Sequence, residues 1–312
     1  GQYTLGELIG EGAMGEVYLA THAMLKRPAA IKLLRPEVAG EEALKRFERE
    51  VRQTSRLTHP NTVSIFDYGR SADGVFYYAM EFLVGADLRE IVEKTGPLPP
   101  SRVIHALIAT CAALTEAHDK GLVHRDIKAG NIMLCERGGV QDVVKLLDFG
   151  LVKDLTQDTA VDHQLMGTPE TMAPETILGH VVGPPADIYA LGAVGYYLLS
   201  GRPLFEAETL DELLQSHESK RPEPISRFVP EVPADLEAIV LRCLEKDSRN
   251  RPVSTDALRR QLLACEDAGQ WREEDAEAWW RSIDWARSAP ESTPEVAATV
   301  AKTVVVASVE RK

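Results

Sequence analysis

Cysteine is scarce in this chain, with four residues in 312. Cys111, Cys135, Cys243 and Cys265 form no CxxC pair and no cysteine–histidine pair at metal-ligand spacing. Neither a zinc site nor a disulfide framework is indicated, and a reduced, cytoplasmic setting is the simplest reading. Positive charge is in the minority: 35 Lys and Arg stand against 48 Asp and Glu, a net charge of −13. Such a chain lacks the broad basic face of a protein that tracks a nucleic-acid backbone, so no nucleic-acid partner is expected. A polyphosphate held by a few well-placed groups stays open. Long apolar runs are missing too. The longest, Ile188 to Leu199, is too short to cross a bilayer and carries two glycines. No secretory leader opens the chain, and it starts at Gly1, as a piece trimmed from a longer chain would.

What remains is an ordinary globular composition, long enough for one large domain or two smaller ones. Alternating apolar residues predict strands at Tyr3–Ile9, Glu16–His22 and Arg27–Leu34, then at Val63–Tyr68 and Val75–Phe82. Between them, 41–57 keeps a helical spacing of Leu44, Phe47, Val51 and Leu57. The first 82 residues therefore read as a five-stranded sheet with one helix. Residues 100–120 form an amphipathic helix whose stripe holds Ile104, Leu107, Ile108, Cys111, Leu114 and His118. Two short strand-like pieces follow, Ile132–Cys135 and Val143–Leu147. Residues 150–175 show little periodicity. Ala186–Ser200 is apolar all round, as in a helix buried in a large core, and helical patterns return at 208–218, 234–246 and 254–265. Trp271 to Ser288 is helix-like and holds all four tryptophans, and from Ala289 the chain reads as a flexible linker.

Gly10-Glu11-Gly12-Ala13-Met14-Gly15-Glu16-Val17 fits G-x-G-x-x-G-x-V between two strands. Glycines let the backbone approach phosphates closely, but alone the segment could be a hairpin turn, since a dinucleotide-binding fingerprint needs a helix next. Lys32 ends an apolar strand in Ala29-Ala30-Ile31-Lys32, and Glu50 borders the apolar face of the next helix, 18 residues later. Read singly, these are a strand-edge lysine and a solvated carboxylate. The deciding pattern is His124-Arg125-Asp126 with Asn131 five residues beyond Asp126, then Asp148-Phe149-Gly150. The first of these arises by chance on the order of once per thousand chains at average composition.

With these parts in order, the sequence resembles the protein-kinase family over roughly residues 3–265. Ala173-Pro174-Glu175, Asp187 at the start of the buried helix, and Arg251 in an Arg-Pro pair complete the resemblance. It implies an α+β, bilobal fold: a small five-stranded antiparallel lobe with one helix (about 1–82) and a larger, mainly helical lobe (about 83–268). It also implies ATP with Mg²⁺, or Mn²⁺ in its place, and transfer of the γ-phosphate to Ser or Thr hydroxyls of proteins. Lys32, oriented by Glu50, would pair with the α- and β-phosphates. Asp148 and Asn131 would hold the metal, Asp126 would accept the hydroxyl proton, and Lys128 would steady the phosphate, in the Ser/Thr-specific pattern. Ile9, Val17 and Ala30 would roof the adenine, Met133 would floor it, Met80 would be the gatekeeper, Glu81 to Leu83 the hinge, and Asp87 would reach the ribose.

The resemblance also implies regulation. Arg125 would pair with a phosphorylated residue of 148–175, with Thr156 and Thr159 as phosphosites, made by autophosphorylation within self-associated copies, while Thr168 would contact the catalytic loop. Glu175 and Arg251 would form a buried ion pair. Three departures stand out: Ala129 where proline is usual, Thr171 where an aromatic is common, and a longer hairpin around Gly138-Gly139. None removes a phosphate, metal or proton-transfer group. Within the family, His59-Pro60-Asn61 and the Asp187–Gly192 run look like the bacterial eukaryotic-like (Hanks-type) Ser/Thr kinases. In such proteins further domains, and in some a membrane anchor, lie beyond a cytoplasmic kinase domain. The extension 269–288 would either pack on the large lobe or dock a partner, and 289–312 would be a linker. The alternative reading, a nucleotide-binding pseudokinase, is disfavoured by the presence of Lys32, Asp126, Asn131 and Asp148. A small-molecule kinase is disfavoured by the long segment before Glu175 and by Arg251.

Overall fold

The computed structural model describes residues 2–12, 15–34, 48–49, 51–71, 74–149 and 168–283. Its small lobe is a five-stranded antiparallel sheet of β1 (Tyr3–Gly12), β2 (Gly15–His22), β3 (Pro28–Leu34), β4 (Ile65–Arg70) and β5 (Phe76–Glu81), in the order β1-β2-β3-β5-β4. All five strands foreseen from alternation are there. Of the helix expected at 41–57, residues 48–49 and 51–54 are helical, and Val51 is fully buried beneath the sheet. Residues 41–47 and 50 lie outside the described residues. The register sets three side chains in line across the sheet: Val17 pairs with Lys32, and Lys32 with Tyr78.

The large lobe opens with β6 (Val84–Asp87) and α1 (Leu88–Thr95), neither of which periodicity marked. A signal for α1 exists in Asp87-Leu88-Arg89-Glu90. Asp87 caps the helix by accepting from the Glu90 amide at 2.8 Å, and Glu90 accepts in return from the Asp87 amide at 3.3 Å. β6 joins β7 (Ile132–Arg137) and β8 (Val140–Leu146) in a second antiparallel sheet. A Cβ at Gly85 would lie 2.1 Å from the Leu134 carbonyl oxygen, so only glycine allows β6 to lie this close to β7.

α2 (Pro100–Asp119) buries Ile104, Leu107, Cys111 and Leu114, the stripe read from sequence. The short α3 (Pro174–Ile177) precedes α4 (Pro184–Ser200), which is buried on nearly every side and forms the centre of the lobe. α5 (Leu210–Ser219) meets it through the Tyr189–His217 hydrogen bond, α6 (Ala234–Cys243) packs against it, α7 (Thr255–Leu263) packs on α2, and α8 (Glu273–Ser282) follows. Among the described residues no helix is long and apolar enough to cross a membrane.

One carboxylate ties the two lobes together. Glu116 on α2 accepts from the Thr58 amide at 3.0 Å, the His59 amide at 2.9 Å and the Lys120 ammonium at 2.7 Å. Partial burial alone would raise its carboxyl, yet the donors from Lys120, Thr58 and His59 bring it down to about 2. A carboxyl depressed in the fold stabilises above its unfolded value and loses that contribution as pH falls. Glu116→Gln is therefore expected to lower stability by about 1 kcal/mol at pH 7, a figure discounted for solvent screening. The gap between variant and wild type should close as pH drops from about 4.5 towards 2. Denaturation midpoints of both proteins across that range check this, and a constant gap would refute it.

Candidate active site

A cleft of about 1200 Å³ lies between the lobes and is lined from both. Ile9, Gly10 and Gly12 of β1, Gly15 and Val17 of β2, and Ala30 and Lys32 of β3 line its small-lobe wall. Met80, Glu81, Leu83 and Asp87 line the connection between lobes. Asp126, Lys128, Asn131, Met133 and Asp148 line the large-lobe wall, with Thr168 at its edge. Every candidate nucleotide-contacting residue read from the sequence thus borders one cavity. Ala13, Met14, Glu50, Gly150, Thr156 and Thr159 lie outside the described residues.

The three glycines of the first motif are not equivalent. A Cβ on Gly12 would meet nothing within 4 Å, and one on Gly10 would make only ordinary contact with Val17. A Cβ on Gly15 would sit 2.0 Å from the Leu33 carbonyl oxygen. Gly15 is therefore required by the packing of β2 against β3, whereas Gly10 and Gly12 leave open the space over the cleft.

On the opposite wall, Asn131 holds Asp126 in place. Its Nδ2 donates to the Asp126 carbonyl oxygen at 2.8 Å and to Asp126 Oδ2 at 3.0 Å. Lys128 Nζ lies 3.1 Å from the same Oδ2, and Thr168 Oγ1 donates to Oδ1 at 3.2 Å. Thr171, at the position noted as a departure, donates to the Ile127 carbonyl oxygen at 2.8 Å and ties the later segment to the catalytic loop.

Asp148 lies at the back of the cleft. Lys32 Nζ donates to its Oδ2 at 2.7 Å and the Tyr78 hydroxyl to its Oδ1 at 2.7 Å. Burial alone would lift this carboxyl, but the charge of Lys32 and the two donated bonds hold it below the usual carboxylate range. Burial and the Asp148 charge push the Tyr78 hydroxyl far up, so it stays protonated and donates. Asp148 has φ +40° and Arg125 has φ +64°, backbone conformations that side chains other than glycine adopt at a cost.

A fully buried carboxylate supports that backbone. Asp187, at the start of α4, accepts from the His124 amide (2.8 Å), from the Arg125 amide (2.8 Å) and from His118 Nε2 (2.8 Å). Burial would raise its carboxyl, but the His118 bond and the neighbouring histidines keep it low. The His124 ring packs against Phe149, with centroids 4.6 Å apart. Farther out, the Arg251 guanidinium meets Glu175 twice, at 2.7 and 2.8 Å, and also donates to the carbonyl oxygens of Glu245, Pro185 and Lys246.

Two cleft-lining carboxylates also hold the chain together. Asp87 spends Oδ1 on capping α1, and burial raises its carboxyl. The Glu81 side chain is buried and held by Lys145 (2.7 Å), Arg137 (2.9 Å) and the Ser64 amide (2.8 Å), so it braces the connection between lobes, while the hinge expected at 81–83 concerns backbone groups. Sequence reasoning passed over Val63, Leu147 and Tyr78, which also line the cleft. All three read as plain strand residues; pairing with Lys32 brings Tyr78 to the cavity, and backbone bonds to Leu146 and Asn131 hold Val63 and Leu147 there.

The family model described as the protein kinase domain matches residues 3–263. The chain belongs to the protein kinase family. Among curated relatives of this kinase chain, serine/threonine-protein kinase pkn3 of Myxococcus xanthus is 36% identical over 273 residues, covering 85% of this chain and 50% of the relative. Serine/threonine-protein kinase PknB of Mycobacterium leprae is 35% identical over 268 residues, covering 84% of this chain and 42% of the relative. The kinase chain therefore spans half or less of the length of these relatives. Among solved structures, the Mycobacterium tuberculosis PknI kinase domain aligns with a TM-score of 0.66 at 29% identity, covering 86% of this chain and 96% of that one. These kinases are bacterial and of the Ser/Thr class by name, in line with the Hanks-type resemblance. As a protein kinase, the chain belongs to a family that uses ATP with a divalent metal.

Among the described residues no cluster of three or more His, Cys, Asp and Glu could cage a metal by itself. The kinase donor set at the back of the cleft is one carboxylate, Asp148, and the amide oxygen of Asn131. Asn131 spends its Nδ2 on Asp126, which leaves its Oδ1 for another partner. So sparse a set fits an ion that keeps most of its coordination for phosphate and water oxygens.

Proposed function

We propose that this chain is an ATP-dependent serine/threonine protein kinase that uses Mg²⁺. The observation that carries the reading is the convergence of Lys32, Asp126, Asn131 and Asp148 on one cleft, with Asn131 bonded directly to Asp126. Bound Mg²⁺ would neutralise charge on the β- and γ-phosphates, and Mn²⁺ suits the same oxygen donors. Asp148 and Asn131 hold the ion. Lys32, shared with Asp148, pairs with the α- and β-phosphates. Gly10 and Gly12 admit the triphosphate under β1. Ile9, Val17, Ala30 and Met133 enclose the base, beside Met80, and Leu83 offers its backbone to the adenine edge.

Asp126 takes the proton from the Ser or Thr hydroxyl. The new bond joins that oxygen to the γ-phosphorus, and the bond from phosphorus to the departing ADP oxygen breaks. Asp126 is held on both oxygens by Thr168, Asn131 and Lys128, so it is oriented before substrate arrives. Lys128 is placed to offset charge on the transferred group. The acidic total charge is compatible with a polyanionic substrate because the compensation is local.

Phosphotransfer to a generic Ser/Thr protein substrate with Mg-ATP, followed by mass spectrometry, tests the reading. Wild type should label serine or threonine, and Asp148→Ala should lose at least about 100-fold in rate. Equal labelling by both proteins, or none by wild type while it still binds Mg-ATP, would overturn it.

A further inference from the structure

Asp148 is gripped from two strands at once. Lys32 on β3 takes Oδ2 and Tyr78 on β5 takes Oδ1, each at 2.7 Å, and Lys32 and Tyr78 are direct cross-strand partners. Lys32 has a role in the reaction, whereas none of the motifs contains Tyr78. Yet Tyr78 is only 2% exposed, and it lines the nucleotide cleft. A phenol has just two rotatable bonds, so a tyrosine packed in a sheet core is a rigid arm with a single polar tip. A hydroxyl donated to an ionised carboxylate makes a short, strong, directional bond. The carboxylate it holds belongs to a residue with φ +40°, whose backbone on its own does not favour that placement.

We propose that Tyr78 is a positioning residue that fixes the rotation of the Asp148 carboxylate for metal binding. A carboxylate has about four lone-pair sites, and Lys32 and Tyr78 occupy two of them on different oxygens. The remaining two are then held in one orientation, ready for the ion and its water. Without the Tyr78 hydroxyl, the carboxylate is tethered at one oxygen only. It turns about the Lys32 contact, and the metal must bind a disordered ligand. This inference rests on Asp148 being the metal ligand of the proposed kinase reaction.

The test compares Tyr78→Phe with Asp148→Asn in the full chain. Binding of a non-hydrolysable ATP analogue is followed by calorimetry across free Mg²⁺ concentrations, and initial rates are measured over the same range at saturating ATP. Tyr78→Phe is expected to raise half-saturating Mg²⁺ by about tenfold in both measurements. Metal-free affinity for the analogue should stay within about twofold of wild type, as an effect through the metal requires. Asp148→Asn should remove the Mg²⁺-dependent gain in affinity altogether. If Asp148→Asn loses that gain while Tyr78→Phe keeps the wild-type Mg²⁺ dependence, Tyr78 is a bystander and the proposal falls. If Asp148→Asn also keeps the wild-type dependence, the metal assignment itself is wrong and the proposal falls with it. Tighter Mg²⁺ binding by Tyr78→Phe would likewise overturn it, since the hydroxyl would then compete with the ion. Tyr78→Leu, which also lacks the hydroxyl, should give the same shift and serves if the phenylalanine variant folds poorly.

Discussion

Asp126→Asn is expected to lower the rate of phosphotransfer by about 10²–10⁴-fold while leaving the fold and ATP affinity close to wild type. The side chains have the same shape, so the change removes the basic oxygen pair with little change in volume. In the structure, Asp126 Oδ2 faces two donors, Asn131 Nδ2 at 3.0 Å and Lys128 Nζ at 3.1 Å, and Oδ1 accepts from Thr168. An asparagine can keep only one oxygen acceptor for these contacts and carries no charge to receive a proton. The loss should therefore appear in kcat, with KM for ATP nearly unchanged, because the role proposed for Asp126 is on the acceptor hydroxyl and not on the nucleotide. Thermal melting and nucleotide titration separate this from misfolding. Undiminished turnover with a normal melting curve would remove Asp126 from its role as proton acceptor.

The largest effect on stability is expected far from the cleft, at Asp142. This residue sits on β8, just past the hairpin at Gly138-Gly139 that the sequence marked as extra length. It is 2% exposed and has φ +55°. Its carboxylate accepts from Arg102 Nε (2.8 Å) and Nη2 (2.9 Å), from Trp271 Nε1 (2.9 Å) and from Trp280 Nε1 (2.6 Å). Arg102, from α2, is fully buried, with the Trp279 ring 3.7 Å from its guanidinium carbon. Trp271, Trp279 and Trp280 thus pack on the large lobe, the first of the two arrangements open at the sequence level, while Trp285 lies outside the described residues. The three do so over a buried ion pair.

Asp142→Ala would leave a buried guanidinium without its counter-charge and two indole donors without an acceptor. A loss of about 3–5 kcal/mol is expected, which for a chain of this size is a fall in melting temperature of about 5–8 °C. The Arg102→Ala/Asp142→Ala pair should lose clearly less than the sum of the two single changes, because each single change strands the other charge. Melting of the three variants checks this. A shift under about 2 °C for Asp142→Ala, or strict additivity, would show that the cluster is not coupled. The family model ends at residue 263, so this contact comes from an extension outside the matched region and yet completes the lobe it covers.

The strands of the small lobe, the stripe of α2 and the buried α4 were readable because each repeats apolar residues at its own period. Val17, Lys32 and Tyr78 show where that stops. Alternation places each on its strand, but only pairing between strands sets them in one line. β6 and α1 were passed over because four and eight residues are too few for a period to emerge, although the Asp87–Glu90 cap was there to see. The bracing by the Glu81 side chain and the capping of α1 by Asp87 were not read from the sequence, since nothing local marks a carboxylate that holds a helix or a strand.

The residues of the proposed chemistry were readable in the sequence. Holding a triphosphate, a metal and a proton acceptor requires particular residue types at short spacings, and His124 to Asn131 and Asp148 to Gly150 carry them within single loops. The supports of that chemistry were decided by tertiary structure. Tyr78 and Asp148 are 70 residues apart and Arg102 and Asp142 are 40 apart, whereas the Glu175–Arg251 pair, 76 apart, was expected only from the family resemblance. A buried hydroxyl or charge is favourable only when its partner meets it there, and that meeting depends on how whole elements pack, for which the chain carries no local mark.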